Sequence, residues 1–362
     1  MPVSDDWQPV ELPERPAPTA KKIARACDLL RQAKRPMICV GGGASRACES
    51  IRLIAEKLGA PVIASIAGKG VMDDSHPLSL SAGVVRKEVQ SYLKSADVVL
   101  AIGTELSEVD SFEETLEING KIIRIDLDTR KMNDLYPAEV AIIGSARSSA
   151  HAIALQLGEA SARGETVSEV AEIRRAMRLR LSPSEARHCL ALDVLRKVLP
   201  INSIIMGDIC QLVYTGAFAF NVAQPKLWHY PAGYCTLGSS LPDAIGASMA
   251  LPGRPVVSLT GDGGFMFTCQ ELVTAAELKL PIPVILWNNR GLKQIRDDML
   301  LREIEPVGVD GINPDFIALA LACGCAALPV DSADSLADAV QQALAADRPT
   351  LIEIDESSAW LN

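Results

Sequence analysis

Asp262 stands between two glycines, Gly261 and Gly263, and a pair of asparagines, Asn288-Asn289, follows after a spacer from Gly264 to Trp287. One carboxylate and one amide oxygen suit a hard cation that also binds phosphate, and magnesium fits that set best. The preceding run Val256-Val257-Ser258-Leu259-Thr260 is β-branched and apolar. It predicts a buried parallel strand with Asp262 just past its C-terminal end, the edge at which open α/β sheets bind ligands. Residues from about Thr268 to Leu278 have helical spacing, so the glycines are expected between a strand end and a helix N-terminus, where free amides can hold phosphate oxygens. Pro281 stops that helix, and a second strand, Pro283 to Trp287, delivers Asn289 beside Asp262. A lone Gly-Asp-Gly is equally a common tight turn, so its surroundings decide the reading.

The elements that must position these residues are α/β throughout. The 362 residues are 48% hydrophobic and 22% charged, which suits two globular domains of ordinary size. We expect two doubly wound, mostly parallel-sheet domains. Residues 1–18 form a Pro-rich lead, with Pro13 to Pro18 at its end, and residues 19–160 a first, Rossmann-like unit. Its strands are expected at Met37–Val40, Pro61–Ser65, Val98–Ile102, Lys121–Asp126 and Val140–Ile143, in a six-strand-like sheet. Residues 161–187 read as a charged helical linker crossing the surface, and residues 188–362 as the second unit. There, strands are expected at Ser203–Met206, Val256–Thr260, Val284–Trp287, Ala326–Leu328 and Thr350–Ile354. Helices are expected at Pro242–Met249, Cys269–Leu278, Asp315–Ala322 and Ser335–Ala345.

Charge and cysteine usage narrow the partners. A formal charge of −10 with scattered Lys and Arg argues against nucleic acid or an anionic membrane, since both need a basic face. No apolar run approaches a membrane span, and Met1-Pro2-Val3-Ser4-Asp5-Asp6 is no signal peptide. Nine cysteines occur singly in apolar stretches, apart from Cys323 and Cys325, and read as buried free thiols in a cytoplasmic protein.

The run Gly261-Asp262-Gly263-Gly264-Phe265 with its following Asn-Asn resembles the signature of thiamine-diphosphate (ThDP) enzymes. Three further blocks resemble the acetolactate synthase-like group in order and spacing: Gly207-Asp208-Ile209-Cys210-Gln211, Gly233-Tyr234-Cys235-Thr236-Leu237-Gly238, and Leu241-Pro242-Asp243-Ala244-Ile245-Gly246-Ala247. The resemblance implies ThDP and Mg2+ as cofactors and a 2-oxoacid substrate, with decarboxylation or carboligation as the reaction. Asp262 and Asn289 would ligate the metal through side chains, and Gly291 through its carbonyl. Gly261, Gly263 and Gly264 would line the diphosphate, with Ile209, Cys210 and Gln211 closing its other side and Thr236 and Leu292 also against the cofactor. Leu237 would wedge beneath the cofactor and bring its amino group to the reactive thiazolium carbon, and the Cys235 carbonyl would accept a hydrogen bond from that group. Ile295 would be the apolar residue beside the reacting carbon.

The same resemblance implies an absence. Nothing in this chain matches the domain that holds the aminopyrimidine and supplies a Glu to its ring nitrogen. Without that Glu the amino group is a poor base, so little turnover is expected from this chain alone. The pyrimidine domain is expected in trans or missing by truncation, and family analogy adds a homo-oligomer. The first unit resembles the family's middle domain at Gly41-Gly42-Gly43-Ala44, Gly68-Lys69-Gly70 and His76-Pro77-Leu78-Ser79-Leu80. FAD is not expected there. Thr104-Glu105-Leu106-Ser107-Glu108 is acidic where the flavin-binding synthases carry an arginine-containing stretch, and the turn at 41–43 reads as packing.

Substrate choice is open at this point. Asp298 falls where acetolactate synthases carry an acceptor-selecting Trp, and the Ile295-Arg296-Asp297-Asp298-Met299 run resembles guanidino-2-oxoacid decarboxylases. A carboxylate at Asp298 could meet a cationic substrate tail; alternatively Arg296, Asp297 and Asp298 form a solvated helix face with internal ion pairs. Lys293 and Arg296 could hold the substrate carboxylate. None of His76, His151, His188 and His229 has a catalytic setting, and His229 reads as structural. A non-catalytic subunit binding ThDP or a nucleotide is the alternative function. A nicotinamide dehydrogenase is excluded because Gly41-Gly42-Gly43-Ala44-Ser45-Arg46 is not the required G-x-G-x-x-G turn.

Overall fold

The computed structural model describes residue 11, residues 14–158 and residues 164–362. Most of the expected lead, including the Met1 to Asp6 stretch and Pro13, and the start of the expected linker lie outside the described residues.

Two wholly parallel sheets form. The first has five strands, β1 (Pro36–Val40), β2 (Val62–Ala64), β3 (Val98–Ile102), β4 (Lys121–Asp126) and β5 (Val140–Ile143), in the order β2-β1-β3-β4-β5. The six-strand-like expectation is corrected here: after β5 the chain enters the helix Ala146–Gln156, and no sixth strand follows among the described residues. Alternation sorts the strand side chains to two faces. Ile38, Val40, Leu100 and Ile102 join one apolar cluster, whereas Met37, Cys39, Val99 and Ala101 join the other.

The second sheet has six strands, β6 (Ile204–Gly207), β7 (Trp228–His229), β8 (Val256–Gly261), β9 (Pro283–Asn288), β10 (Ala326–Val330) and β11 (Thr350–Asp355), in the order β10-β11-β9-β8-β6-β7. The two-residue β7 is too short to leave a sequence pattern. Every residue of β8 and β9 is buried, as their β-branched and apolar runs require. From β6 the chain moves outward to β7 and then crosses to the other side for β8. The sheet therefore reverses direction between β6 and β8, and a crevice opens beyond the C-terminal ends of those strands.

Residues 164–187, expected as a charged helical linker, form one helix and the start of another. The helix Gly164–Leu179 buries Val170 and Met177 against the first sheet, because one apolar stripe runs along an otherwise charged helix. The next helix, Pro183–Val198, starts with Pro at its first turn and a Ser182–Glu185 capping box. It runs through residue 187 and buries Ala191, Leu192 and Leu195 in the second core. The two units are bonded directly. Val222 N donates to Asp74 Oδ2 (2.9 Å) and Asp74 N to the Val222 carbonyl (3.0 Å). The same carboxylate takes the buried Lys69 Nζ at 2.7 Å, and Lys69 also donates to Ser81 Oγ at 2.7 Å. No helix among the described residues is long and apolar enough to cross a membrane.

Candidate cofactor site

The site is built at the sheet reversal. Gly261 pairs with Trp287 across β8 and β9, so Asp262 and the two asparagines leave adjacent strands at the same edge. The glycines, expected between the strand and a helix from about Thr268 to Leu278, form a helical turn of their own, Asp262–Phe265, and the next helix is Glu271–Glu277. Amides in a first turn have no intrahelical acceptor, and both Gly263 and the buried Gly264 line the cavity described below, where their N–H groups could meet an anion.

Past β9 the backbone turns through two positive-φ residues, Arg290 (66°) and Gly291 (144°). Gly291 cannot be replaced without a shift, because a Cβ there would lie 2.3 Å from the Val309 carbonyl oxygen. The turn points Gly291 N–H back at Asp262 Oδ2, 2.8 Å away. It also brings together three oxygens. As placed, the Asn289 side-chain oxygen is 3.0 Å from the Gly291 carbonyl oxygen and 3.1 Å from Asp262 Oδ1, with no hydrogen between them. Turning the amide over would satisfy the protein alone by donating its N–H groups to both oxygens. A cation satisfies the first orientation. Oxygens at right angles around an octahedral ion, with bonds of about 2.0–2.1 Å, are about 3.0 Å apart. The donor set and its spacing fit a small divalent metal. Among the described residues no three His, Cys, Asp or Glu side chains cluster as a metal site.

Beside these oxygens lies a cavity of about 190 Å³. Ile209, Cys210 and Gln211 form one side, Gly261 to Gly264 the floor, and Asn289, Gly291 and Leu292 the other side. Cys235, Leu237 and Ile295 also reach it; Leu237 is half-buried, and Cys235 is exposed on a left-handed backbone (φ 50°). Thr236 is the exception among the expected site residues, being exposed and outside the cavity wall. Tyr214, Lys293 and Gln294 complete the lining. Burial pushes the Cys210 thiol up to about 12, so it is a neutral wall residue.

Two residues outside the expected set organise the site. Asp208, fully buried, accepts from Ile209 N (2.7 Å), Thr260 Oγ1 (3.0 Å) and Gly238 N (3.0 Å to each oxygen). Desolvation raises its pKa, with the donors from Ile209, Thr260 and Gly238 opposing that shift. It ties the ends of β6 and β8 to the loop carrying Leu237. The repeated Gly-Asp step, Gly207-Asp208 beside Gly261-Asp262, was the available signal. Asn313, which donates to Asp262 Oδ2 at 2.6 Å, is 51 residues away from it and gave none.

Around the reacting end, Gln211 Nε2 donates to Gln294 Oε1 and Asp297 Oδ2, both at 3.1 Å, and Gln294 donates to Asp298 Oδ1 at 3.2 Å. The helix Lys293–Leu301 that carries them has no buried residue. Internal ion pairs on this face do not form: Arg296 pairs with Asp310 (2.9 Å) and Lys293 with Glu356 (2.6 Å). Both cations expected for a substrate carboxylate are thus engaged elsewhere. His229 bonds the Lys226 carbonyl (2.9 Å), a local structural contact, and His188 is buried against Thr215 and Trp287. All nine cysteines are free; Cys27, Cys39, Cys189 and Cys325 are buried as expected, whereas Cys235 is exposed.

Residues 208–354 match the C-terminal TPP-binding domain of thiamine pyrophosphate enzymes, and residues 23–153 match their central domain. The chain belongs to the thiamine pyrophosphate enzyme family. It is 41% identical to a probable 2-ketoarginine decarboxylase of Pseudomonas aeruginosa, over 99% of this chain and 65% of that protein. It is 30% identical to a probable acetolactate synthase large subunit of Methanococcus aeolicus, over 94% of this chain and 61% of that protein. To the large subunit of acetolactate synthase isozyme 1 of Escherichia coli it is 30% identical, over 79% of this chain and 52% of that protein. The chain thus spans about half to two thirds of these thiamine pyrophosphate enzyme relatives.

Proposed function

We infer that this chain supplies the diphosphate and metal half of a ThDP- and Mg2+-dependent decarboxylase acting on a 2-oxoacid with a cationic tail. The convergence of Asp262 Oδ1, the Asn289 side-chain oxygen and the Gly291 carbonyl is the observation that carries the cofactor reading. These three would hold the metal, and the amides of Gly263 and Gly264 would receive the diphosphate at the first turn after β8. Leu237 and the Cys235 carbonyl would orient the rings, and Ile295 would cover the reacting side. ThDP, when bound, supplies a carbon nucleophile and an electron sink for loss of CO2 from 2-oxoacids.

The tail is read from the rim. Asp297 and Asp298 form no ion pair among the described residues, and Gln211 Oε1 is buried without a partner. A guanidinium, with its five donors, matches that surplus of acceptors, in keeping with the 2-ketoarginine decarboxylase likeness. The acceptor-rich rim gives no comparable support for a second carbonyl substrate with an uncharged tail, the acceptor that carboligation would need. We propose that the acid serving the aminopyrimidine comes from polypeptide outside these 362 residues, and that the chain alone turns over little. The division we propose is a scaffold at 19–160, a connection at 161–187 and a cofactor unit at 188–362. A scaffold role suits the closed turn at Gly41, where a Cβ would lie 2.1 Å from the Gly103 carbonyl oxygen. Exposed Met266 and Phe267 beside the glycine turn suit a homo-oligomer.

Calorimetric titration with ThDP, with and without Mg2+, tests this reading. Magnesium-dependent binding lost in Asp262→Ala is expected, and binding that ignores either change refutes the cofactor assignment. For the tail, Asp297→Asn should weaken 2-ketoarginine binding by about 10- to 100-fold, the value of a charged hydrogen bond. Binding of a 2-oxoacid of equal length with an uncharged tail should stay the same.

A further inference from the structure

Asp262 has two oxygens with different partners. Oδ2 accepts Gly291 N–H at 2.8 Å and Asn313 Nδ2 at 2.6 Å, while Oδ1 faces the Asn289 side-chain oxygen. The Asn313 nitrogen also donates to Asn288 Oδ1 at 2.9 Å. Its orientation is forced by the network. Asn288 gives its own nitrogen to Glu353 Oε1 at 2.7 Å and accepts Arg290 N–H at 3.2 Å, so its oxygen must face Asn313. Both neighbours of the Asn313 amide therefore only accept, and only its nitrogen can lie between them.

We propose that Asn313 is a positioning residue for the metal. It locks the rotation of the Asp262 carboxylate, holding Oδ2 so that Oδ1 is presented to the Asn289 and Gly291 oxygens. The inference rests on the metal reading above. With Asn313 removed, Asp262 keeps a single N–H donor and can turn about its carboxylate axis. Loss of such a partner to a ligating group costs about 10- to 100-fold in metal affinity.

The test is titration of the full chain, in the presence of ThDP, with Mn2+ followed by the EPR signal of the free ion. Four proteins are compared: wild type, Asp262→Ala, Asn313→Ala and the similarly sized Asn313→Leu, which fills the space but cannot donate. Expected are tight binding by wild type, its loss in Asp262→Ala, and weakening by about 10- to 100-fold in both Asn313 variants with unchanged metal-free melting. A role in packing or loop anchoring alone would instead be restored by leucine or would lower the metal-free melting temperature in step with the affinity. Wild-type affinity in either Asn313 variant, or weakening only in step with a loss of metal-free melting, would overturn the positioning role while leaving the metal site standing. No Mn2+ binding by wild type, or equal binding by Asp262→Ala, would overturn both.

Discussion

Gly263 and Gly264 are adjacent in the same turn, yet adding one methyl group to each should have unequal effects. A Cβ on Gly264 would lie 2.6 Å from Asp208 Oδ2 and 3.0 Å from its Cγ. Ordinary contact begins near 3.4 Å, so the carboxylate would have to retreat by about 0.8 Å. It has nowhere to go without loss. Its bonds to Gly238 N and Thr260 Oγ1 are 3.0 Å long, and such a retreat carries them to about 3.8 Å, outside hydrogen-bond range. Overpacking costs about 1–3 kcal/mol and each hydrogen bond to a charged group about 1.5–3 kcal/mol. Allowing partial relaxation, Gly264→Ala should destabilise by about 3–5 kcal/mol, a large part of the stability of an ordinary domain.

At Gly263 the added Cβ would meet Leu292 Cδ2 at 2.7 Å, the free end of a side chain that can change rotamer. The expected loss there is below about 1.5 kcal/mol, with part of it offset by the lower entropy of the unfolded alanine chain. Urea unfolding of both variants without cofactor measures the difference directly. Equal losses, or a Gly264→Ala protein within about 1 kcal/mol of wild type, would refute the idea that Asp208 is rigidly clamped.

Two further outcomes follow from buried titratable groups. Burial, aided by Lys293 and Arg187 against Glu356, depresses His188 from 6.5 to about 4, so the folded state holds it neutral. The stabilisation from this group is complete above pH 6.5 and is lost as pH falls toward about 4. It amounts to about 3 kcal/mol. Stability measured across that window should slope less in His188→Phe, and an unchanged slope would remove His188 as its source. In the seam between the units, Lys69→Met would leave Asp74 charged and buried with only Val222 N–H as donor from across the seam. A loss of about 3–5 kcal/mol in urea unfolding is expected, and a change under about 1 kcal/mol would mean that Asp74 is readily neutralised.

What could be read in the sequence follows from the range of the physics involved. Val256 to Thr260 and Pro283 to Trp287 announce buried strands because side-chain type and solvent exclusion act locally, and parallel pairing then obliges Asp262 and Asn289 to leave at one edge. The two-residue β7 has no such local signature, although it is what makes the sheet reverse between β6 and β8. The helical turn at Asp262–Phe265 was hidden for another reason. Glycine is a poor helix former, and here packing overrides propensity: only glycine lets the turn approach Asp208 so closely. Asn313 could not be read at all, since its partners Asp262 and Asn288 are set by tertiary closure of the 302–313 loop.

That closure has a consequence for how the site divides its labour. The residues that face the cofactor cavity are the ones with sequence patterns, because chemistry limits which side chains can serve there. The residues that hold them, Asp208 and Asn313, are ordinary polar side chains whose importance lies in which oxygen or N–H they occupy. Asp262 Oδ2 is held by two N–H donors, and on the proposed metal reading that leaves Oδ1 to the cation. The precision of the metal-binding face would then be set by hydrogen bonds made on its far side.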